Sequence, residues 1–151
     1  KAESSLYLAV KLDPKNPDYR KLLNEAHDAS LRIRSEQFLT AAESAESFQN
    51  IQEAMYNYRK AVEYKSRNGT VYFRLGQLIR RFEKDNREAL KHLRLAVQYT
   101  PDNPEFRIAL AEVYSELDLG LNARREYQEA GKLATDKAMK ERIKEGLRSI
   151  R

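Results

Sequence analysis

The sequence contains AMYNYRKA at residues 54–61, ALKHLRLA at residues 89–96 and ARREYQEA at residues 123–130. Each octapeptide begins and ends with alanine and has tyrosine or leucine in fifth place, and the octapeptides start 35 and 34 residues apart. A partial fourth copy begins at Ala2, with Leu6 and Ala9 in the matching places. The first, fifth and eighth residues of such a segment share one face of a helix. The nearly constant spacing therefore indicates an array of similar helical units.

The ends of the helices are marked by proline, glycine and capping residues. Pro14 and Pro101 each follow the end of a helix, Gly69 marks a turn, and Asn50 and Asp85 are predicted N-caps because a glutamate follows each three residues later. No segment alternates polar and apolar residues as a half-buried strand would. The predicted helices are roughly 2–12, 18–48, 50–66, 70–84, 86–99, 104–117, 121–134 and 137–150.

Residues 18–48 contain neither glycine nor proline, so nothing in this stretch is expected to end a helix. A single long helix is the favoured interpretation, and the alternative is two helices broken near Arg34 and Ser35. The apolar residues expected to form its buried stripe are Tyr19, Leu22, Leu23, Ala26, Ile33, Ala41, Ala45 and Phe48.

The octapeptides lie inside longer units that match one another. In the unit that begins at Gly69, the residues in register are Tyr72, Leu75, Gly76, Ala89, Leu93, Ala96 and Pro101. The preceding unit supplies Phe38, Ala42, Ala54, Tyr58 and Ala61, and the following unit supplies Leu110, Ala111, Tyr114, Ala123, Tyr127 and Ala130. One residue is inserted in the middle unit, near Lys84 and Asp85. The pattern resembles the tetratricopeptide repeat, a helix–turn–helix unit of about 34 residues. The resemblance implies an all-α fold, a right-handed α-solenoid of such repeats with a C-terminal capping helix.

The same resemblance divides the chain into units. They are a half repeat at 1–14, the N-terminal part of a long helix at 17–34, repeats at 35–68, 69–103 and 104–136, and a capping helix at 137–151. On the last helix Met139, Ile143, Leu147 and Ile150 form one apolar stripe, which suits the shielding of the last repeat from water. Lys1 lies inside a helical pattern and is not methionine, so the chain is interpreted as a fragment of a longer protein.

In tetratricopeptide repeat proteins the first helix of each unit lines a concave groove. The resemblance implies the lining residues Glu36, Leu39, Glu43, Glu46 and Ser47, then Thr70, Phe73, Gln77, Arg80 and Arg81, then Glu105, Ile108, Glu112, Ser115 and Glu116. A basic helix thus lies between two acidic helices. The predicted partner-binding residues are Phe73, Arg74, Gln77, Arg80, Arg81, Glu43, Glu112 and Glu116.

Two interpretations of the groove arginines stay open. In one, Arg80 and Arg81 bind a carboxylate of a peptide while Phe73 anchors an apolar side chain. In the other, both arginines pair with acids on neighbouring helices, and exposed pairs of this kind contribute only about 0–1 kcal/mol.

Some members of the family bind the acidic C-terminal tails of chaperones through lysine and asparagine at set groove positions. Those positions hold Leu39, Glu43 and Thr70 in this sequence, and only Arg74 is basic. Binding of chaperone tails is therefore not predicted.

The resemblance implies a protein–protein interaction scaffold that binds a peptide or another protein and has no catalytic activity. One alternative is a nucleic-acid-binding helical array, since the net charge is +5. However, residues 1–34, 35–68, 69–102 and 103–151 carry net charges of +2, −1, +3 and +1, and a modest, interleaved excess is typical of solvated helices. Another alternative is an accessory array of a chaperone-like (J-domain) or signalling protein.

Several kinds of site are absent from the sequence. The lack of cysteine excludes disulfides, thiolate metal sites and thiol catalysis. His27 and His92 are on separate helices, and Glu88 before His92 is interpreted as a surface partner. There is no glycine-rich phosphate loop, no signal peptide and no apolar run near the roughly 20 residues that span a bilayer. We expect no catalytic residue, metal or cofactor, no membrane insertion and a cytoplasmic location.

Overall fold

The computed structural model describes the backbone of residues 2–150 and the side chains of residues 4–150. This part of the chain contains no strand, and its helices are α1 (Ala2–Leu12), α2 (Pro17–Ser47), α3 (Ile51–Glu63), α4 (Gly69–Leu78), α5 (Asn86–Tyr99), α6 (Pro104–Glu116), α7 (Gly120–Leu133) and α8 (Lys137–Ser149). A π-helical turn, Ile79–Glu83, continues α4. The all-α prediction is therefore confirmed.

Side-chain caps fix where most helices begin. The Asn50 side chain accepts a hydrogen bond from the Glu53 N–H, and the Asp85 side chain accepts one from the Glu88 N–H. Both predicted N-caps are confirmed. Asp136 caps α8 in the same way, through the N–H of Met139. Each cap satisfies an N–H group that the first turn of a helix leaves without a partner.

The helices stack in chain order. Each helix packs against the next, and α6 also contacts α8. Such a stepwise order of neighbours is that of an α-solenoid of helix–turn–helix repeats, in which α8 covers the last pair.

The three octapeptides supply the centre of this stack. Their alanines and central residues are buried: Ala54, Tyr58 and Ala61 on α3, Ala89, Leu93 and Ala96 on α5, and Ala123, Tyr127 and Ala130 on α7. Gly76 allows α4 and α5 to approach closely, because a Cβ at this position would lie 2.9 Å from Cγ of Leu93. The first, fifth and eighth residues of each octapeptide, which the sequence places on one helix face, are therefore buried.

Helix α2 is one continuous helix, so the interpretation with a break near Arg34 and Ser35 is wrong. Its predicted apolar stripe is also largely wrong: Tyr19, Leu22, Ile33 and Phe48 are exposed. Ala45 of the stripe is buried as predicted, and the other buried residues are Ser35 and Ala42. The reason is that α1 packs on α2 near residues 23–27 and α3 packs on it beyond residue 34, so no single face of α2 is covered along its whole length. The side chain of Ala2 lies outside the described residues.

The residue inserted near Lys84 is accommodated before the turn rather than in it. The last turn of the helix widens to π geometry over Ile79–Glu83, and Lys84 ends it in the left-handed region at φ 59°. A π turn inside a helix takes up one additional residue and changes the direction in which the following side chains point.

Helix α8 packs as the predicted apolar stripe requires. Ile143 is buried, and Met139, Leu147 and Ile150 are partly buried beside Tyr127. Gly146 faces the same tyrosine so closely that a Cβ would overlap its ring. Among the described residues no helix has the length and apolar character needed to cross a bilayer.

Candidate functional site

One face of the stack is formed by α2, α4 with its π turn, α6 and α8, whose side chains meet in succession. Phe73 of α4 stacks on Phe106 of α6 with ring centroids 4.5 Å apart. We call this surface, together with Lys84 and with Asn86 at the start of α5, the groove face. Its other residues are Glu43, Glu46, Phe73, Arg74, Gln77, Arg80, Arg81, Glu105, Glu112, Glu116 and Arg142.

Arg80 forms the centre of an ion-pair network on this face. Its Nη1 donates to Glu112 at 2.8 Å, and its Nε and Nη2 both donate to the carboxylate of Glu116. Glu112 also accepts from Arg142 Nε at 2.8 Å, and Arg142 Nη1 donates to Glu105 at 2.7 Å. The network ties the π turn and α8 to α6. Arg80 therefore pairs with acids on a neighbouring helix, which is the second of the two interpretations that the sequence left open.

Arg81 has a different environment. It is exposed, and its guanidinium lies 5.2 Å from the centre of the Phe82 ring. Within residues 4–150 no carboxylate lies within ion-pair distance of Arg81 or of Lys84. The Arg80 side chain reaches α6, whereas that of Arg81, the next residue, does not. The predicted acids for Arg81 are not its partners.

A cavity of about 600 Å³ lies beside the π turn. It opens between the C-terminal ends of α2, α4 and α6 and the first turn of α5. Its lining is Glu46, Arg74, Gln77, Leu78, Arg80, Arg81, Lys84, Asn86 and Glu116. This volume is in the range of sites that hold a small molecule or a few peptide side chains.

On α2, Glu46 is held by its neighbours. It accepts a 2.5 Å hydrogen bond from the buried hydroxyl of Tyr58, and Arg74 Nε lies 4.0 Å away. Burial and then this hydrogen bond raise the pKa of Tyr58 above its ordinary value. Glu43 is exposed one turn before Glu46.

Two apolar residues predicted to line the groove differ in their accessibility. Phe73 is half-buried on Phe106 and keeps one edge at the surface. Ile108, in contrast, is completely buried, so its predicted place in the groove is wrong. It packs in one cluster with Tyr127 and Ile143, because α8 covers the side of α6 that would be open to water at the end of the array.

The sequence-based prediction missed Lys84, Asn86 and Arg142. Lys84 and Asn86 belong to the turn that follows the inserted residue, and the spacing of repeats says nothing about where an insertion directs its side chains. Arg142 adjoins Ile143 in the apolar stripe of α8, and that adjacency is the one signal that could have placed it near α6.

The histidines do not form a metal site. His92 Nε2 lies 3.4 Å from a Glu88 oxygen, in a pair four residues apart. Within the part of the chain that the structure describes, no three histidine, aspartate or glutamate side chains are placed to hold one metal ion.

No protein-family model and no curated protein matches the chain. Solved structures do resemble it. The tetratricopeptide repeat domain of Arabidopsis OM64 is 16% identical, covers 76% of this chain and 94% of that domain, and has a TM-score of 0.65. The first such domain of Spaghetti (RPAP3), bound to the HSP90 peptide SRMEEVD, is 15% identical over 78% of this chain and 90% of that chain, with a TM-score of 0.66.

A tetratricopeptide repeat protein from Parabacteroides merdae is similar along almost the whole length. It is 17% identical, covers 99% of this chain and 51% of its own, and has a TM-score of 0.63. At such identities the likeness is one of fold. The stacked helices, the buried octapeptides and these structures agree that the chain has the fold of the tetratricopeptide repeat domains.

Proposed function

We propose that this chain is a protein-interaction scaffold that binds a peptide segment of another protein along the groove face. The observation that carries the proposal is the ion-pair network of this face, in which Arg80 and Arg142 hold neighbouring helices together through Glu112. The surface is therefore ordered before a partner arrives, and a preordered surface loses less conformational entropy on binding.

The groove residues divide into two roles in this proposal. Arg80, Glu112 and Glu116 hold the helices in register, since they are already paired with one another. Arg74, Gln77 and Arg81 contact the peptide together with the exposed edge of Phe73, and Glu43 contacts it on α2.

The complex of the RPAP3 domain with an HSP90 peptide supports peptide binding by this fold. It does not indicate the same peptide, because Leu39, Glu43 and Thr70 stand where chaperone-binding members have lysine and asparagine. The proposed ligand is a peptide of another sequence.

Selection from a displayed library of random peptides, followed by fluorescence anisotropy with the purified chain, tests the proposal. We expect peptides that bind the wild-type chain to bind Gln77→Trp at least tenfold more weakly, roughly the cost of losing one well-placed contact. The matched control is Gln98→Trp on α5, whose side chain is exposed away from the groove face.

The proposal fails if selected peptides bind Gln77→Trp and the wild type equally, or if repeated selections yield none that bind. Thermal unfolding of both variants ensures that neither result reflects a loss of folding. We also expect no gel shift with single- or double-stranded oligonucleotides. A shift that weakens steeply with salt would instead support the nucleic-acid alternative.

A further inference from the structure

The cavity beside the π turn contains more positive charge than its own acids neutralise. Four of its lining residues are cationic, Arg74, Arg80, Arg81 and Lys84, and two are acidic, Glu46 and Glu116. Arg80 is already paired with Glu112 and Glu116. Arg81 and Lys84 remain without an acidic partner among the described residues.

The acids near these cations have other partners. Asp85, which adjoins Lys84 in sequence, accepts a hydrogen bond from the Glu88 N–H at 2.9 Å. Glu46 accepts the Tyr58 hydroxyl at 2.5 Å and lies at 4.0 Å from Arg74, the limit of an ion pair. Glu83, which adjoins Lys84 in sequence, accepts two hydrogen bonds from Arg59 at 2.7 and 2.9 Å. Among the described residues none of these carboxylates forms an ion pair with Arg81 or Lys84.

Neutral donors and the π turn complete the site. The amide groups of Gln77 and Asn86 line the same cavity and can donate hydrogen bonds to an oxyanion. Asn86 is the first residue of α5, where the helix dipole also favours negative charge. Arg81 belongs to the π turn, Lys84 ends it, and both line this cavity.

We infer that this cavity binds a doubly negative phosphate ester, that of a phosphorylated side chain on the peptide in the groove. The inference rests on the proposed function for the peptide, although the phosphate site itself is defined by the cavity. Two unneutralised cations match the charge of a phosphate monoester, about −1.5 to −2 at pH 7, and its three oxygens match the guanidinium, ammonium and amide donors. A single carboxylate would leave one cation unpaired.

The test uses the whole chain and three small probes: N-acetyl-phosphoserinamide, N-acetyl-aspartamide and N-acetyl-serinamide. Binding is followed by NMR through the side-chain amides of Gln77 and Asn86. We expect the phosphoserine probe to bind about tenfold or more tightly than the aspartate probe, since each charge-assisted hydrogen bond adds substantially to affinity. The serine probe is expected not to bind.

The test variant is Arg81→Gln with Lys84→Asn, because asparagine tolerates the left-handed conformation at position 84. The control, Arg124→Gln with Arg125→Gln, removes the same charge from exposed positions on α7. We expect the test variant to lose the phosphoserine response roughly tenfold or more and the control to keep it. Both variants should unfold at the wild-type temperature within a few degrees, as surface changes do.

A second readout needs no variant. No histidine lines the cavity, whereas the ligand phosphate loses one charge near pH 6. Lowering the pH from 7.5 to 5.5 should therefore weaken phosphoserine binding severalfold and leave aspartate binding unchanged.

Equal binding of the phosphoserine and aspartate probes, or an undiminished response in the test variant, would overturn the inference. If the small phosphate probe fails while selected peptides still bind the groove, only the phosphate site is wrong. If it binds while no peptide does, the proposed function is wrong and the anion site stands.

Discussion

The hydroxyl of Tyr58 is a buried polar atom whose bond to Glu46 crosses from α3 to α2. Removing it with Tyr58→Phe should lower the free energy of unfolding by about 1–2 kcal/mol, because a hydrogen bond to a charged group is lost while Glu46 can still be hydrated in part. Urea unfolding measures the change. Tyr56→Phe is the matched control, since Tyr56 is exposed on the same helix. A loss in the control as large as that in Tyr58→Phe would contradict the expected role of this bond.

His92 makes the stability dependent on pH. Its ring lies 6.3 Å from that of Tyr72, and its Nδ1 is buried without a hydrogen-bond partner among the described atoms. Burial lowers the pKa of His92, against the opposing effect of Glu88, and the nearby cations Lys91 and Arg59 lower it further.

The unfolded chain therefore binds a proton at His92 more readily than the folded chain does, and stability should fall as the pH drops below about 6.5. Titration of this one group cannot lower the free energy of unfolding by more than about 1.4 kcal/mol per pH unit. Urea unfolding at pH 7.5 and 5.5 should show a smaller pH effect in His92→Gln than in the wild type. An identical pH effect in the two proteins would show that His92 is not the titrating group.

The sequence predicts individual residues well where the repeat spacing determines which side chains are buried. It predicts them poorly where a contact depends on how two helices are oriented. The buried positions of Ala54, Ala89 and Ala123 follow from their period. The separate environments of Arg80 and Arg81 do not, because the repeat pattern places both on the first helix of their unit and does not say which of them reaches the acids of α6.

At the level of helices, two glycines carry the same unfavourable helix propensity, but we expect their replacement by alanine to change the free energy of unfolding in opposite directions. Gly131 on α7 is exposed, and a Cβ there would meet nothing within 4 Å. Gly131→Ala should therefore raise the free energy of unfolding by up to about 1 kcal/mol, the helix propensity difference.

Gly146→Ala on α8 should lower the free energy of unfolding by about 1–3 kcal/mol, because the new methyl group overlaps the Tyr127 ring. Circular dichroism with urea measures both variants. Stabilisation by Gly146→Ala would show that α8 packs less closely on α7 than described.

The long helix α2 and the insertion after α4 were predictable to different degrees. The continuity of α2 follows from the absence of glycine and proline over residues 18–48. The insertion near Lys84 was also detectable, but its form was not. An additional residue can lengthen a loop or widen a helix, and the spacing of the repeats does not distinguish the two. The predicted apolar stripe of α2 is largely wrong because α1 and α3 contact different parts of this helix, and their contacts do not lie along one helical face.

For the whole molecule, stability should depend on the neighbours that each helix covers. Deleting residues 137–151 removes α8 and uncovers the cluster around Tyr127 and Ile108. Loss of the burial of Ile143 and its partly buried neighbours should lower the free energy of unfolding by about 3–6 kcal/mol.

Deleting residues 1–12 should cost less, because Tyr7 and Leu8 of α1 are already largely exposed. Urea midpoints of the two truncated chains compare the losses. Equal losses would mean that α1 supports the array as strongly as α8 does.

Helix α2 connects two distant parts of the molecule without an intervening loop. Its 31 residues span about 46 Å without a joint. Near one end it carries α1, and near the other it presents Glu46 to the cavity. Because a continuous helix is stiff, we expect a force applied to α1 to tilt the wall of the cavity that Glu46 lines.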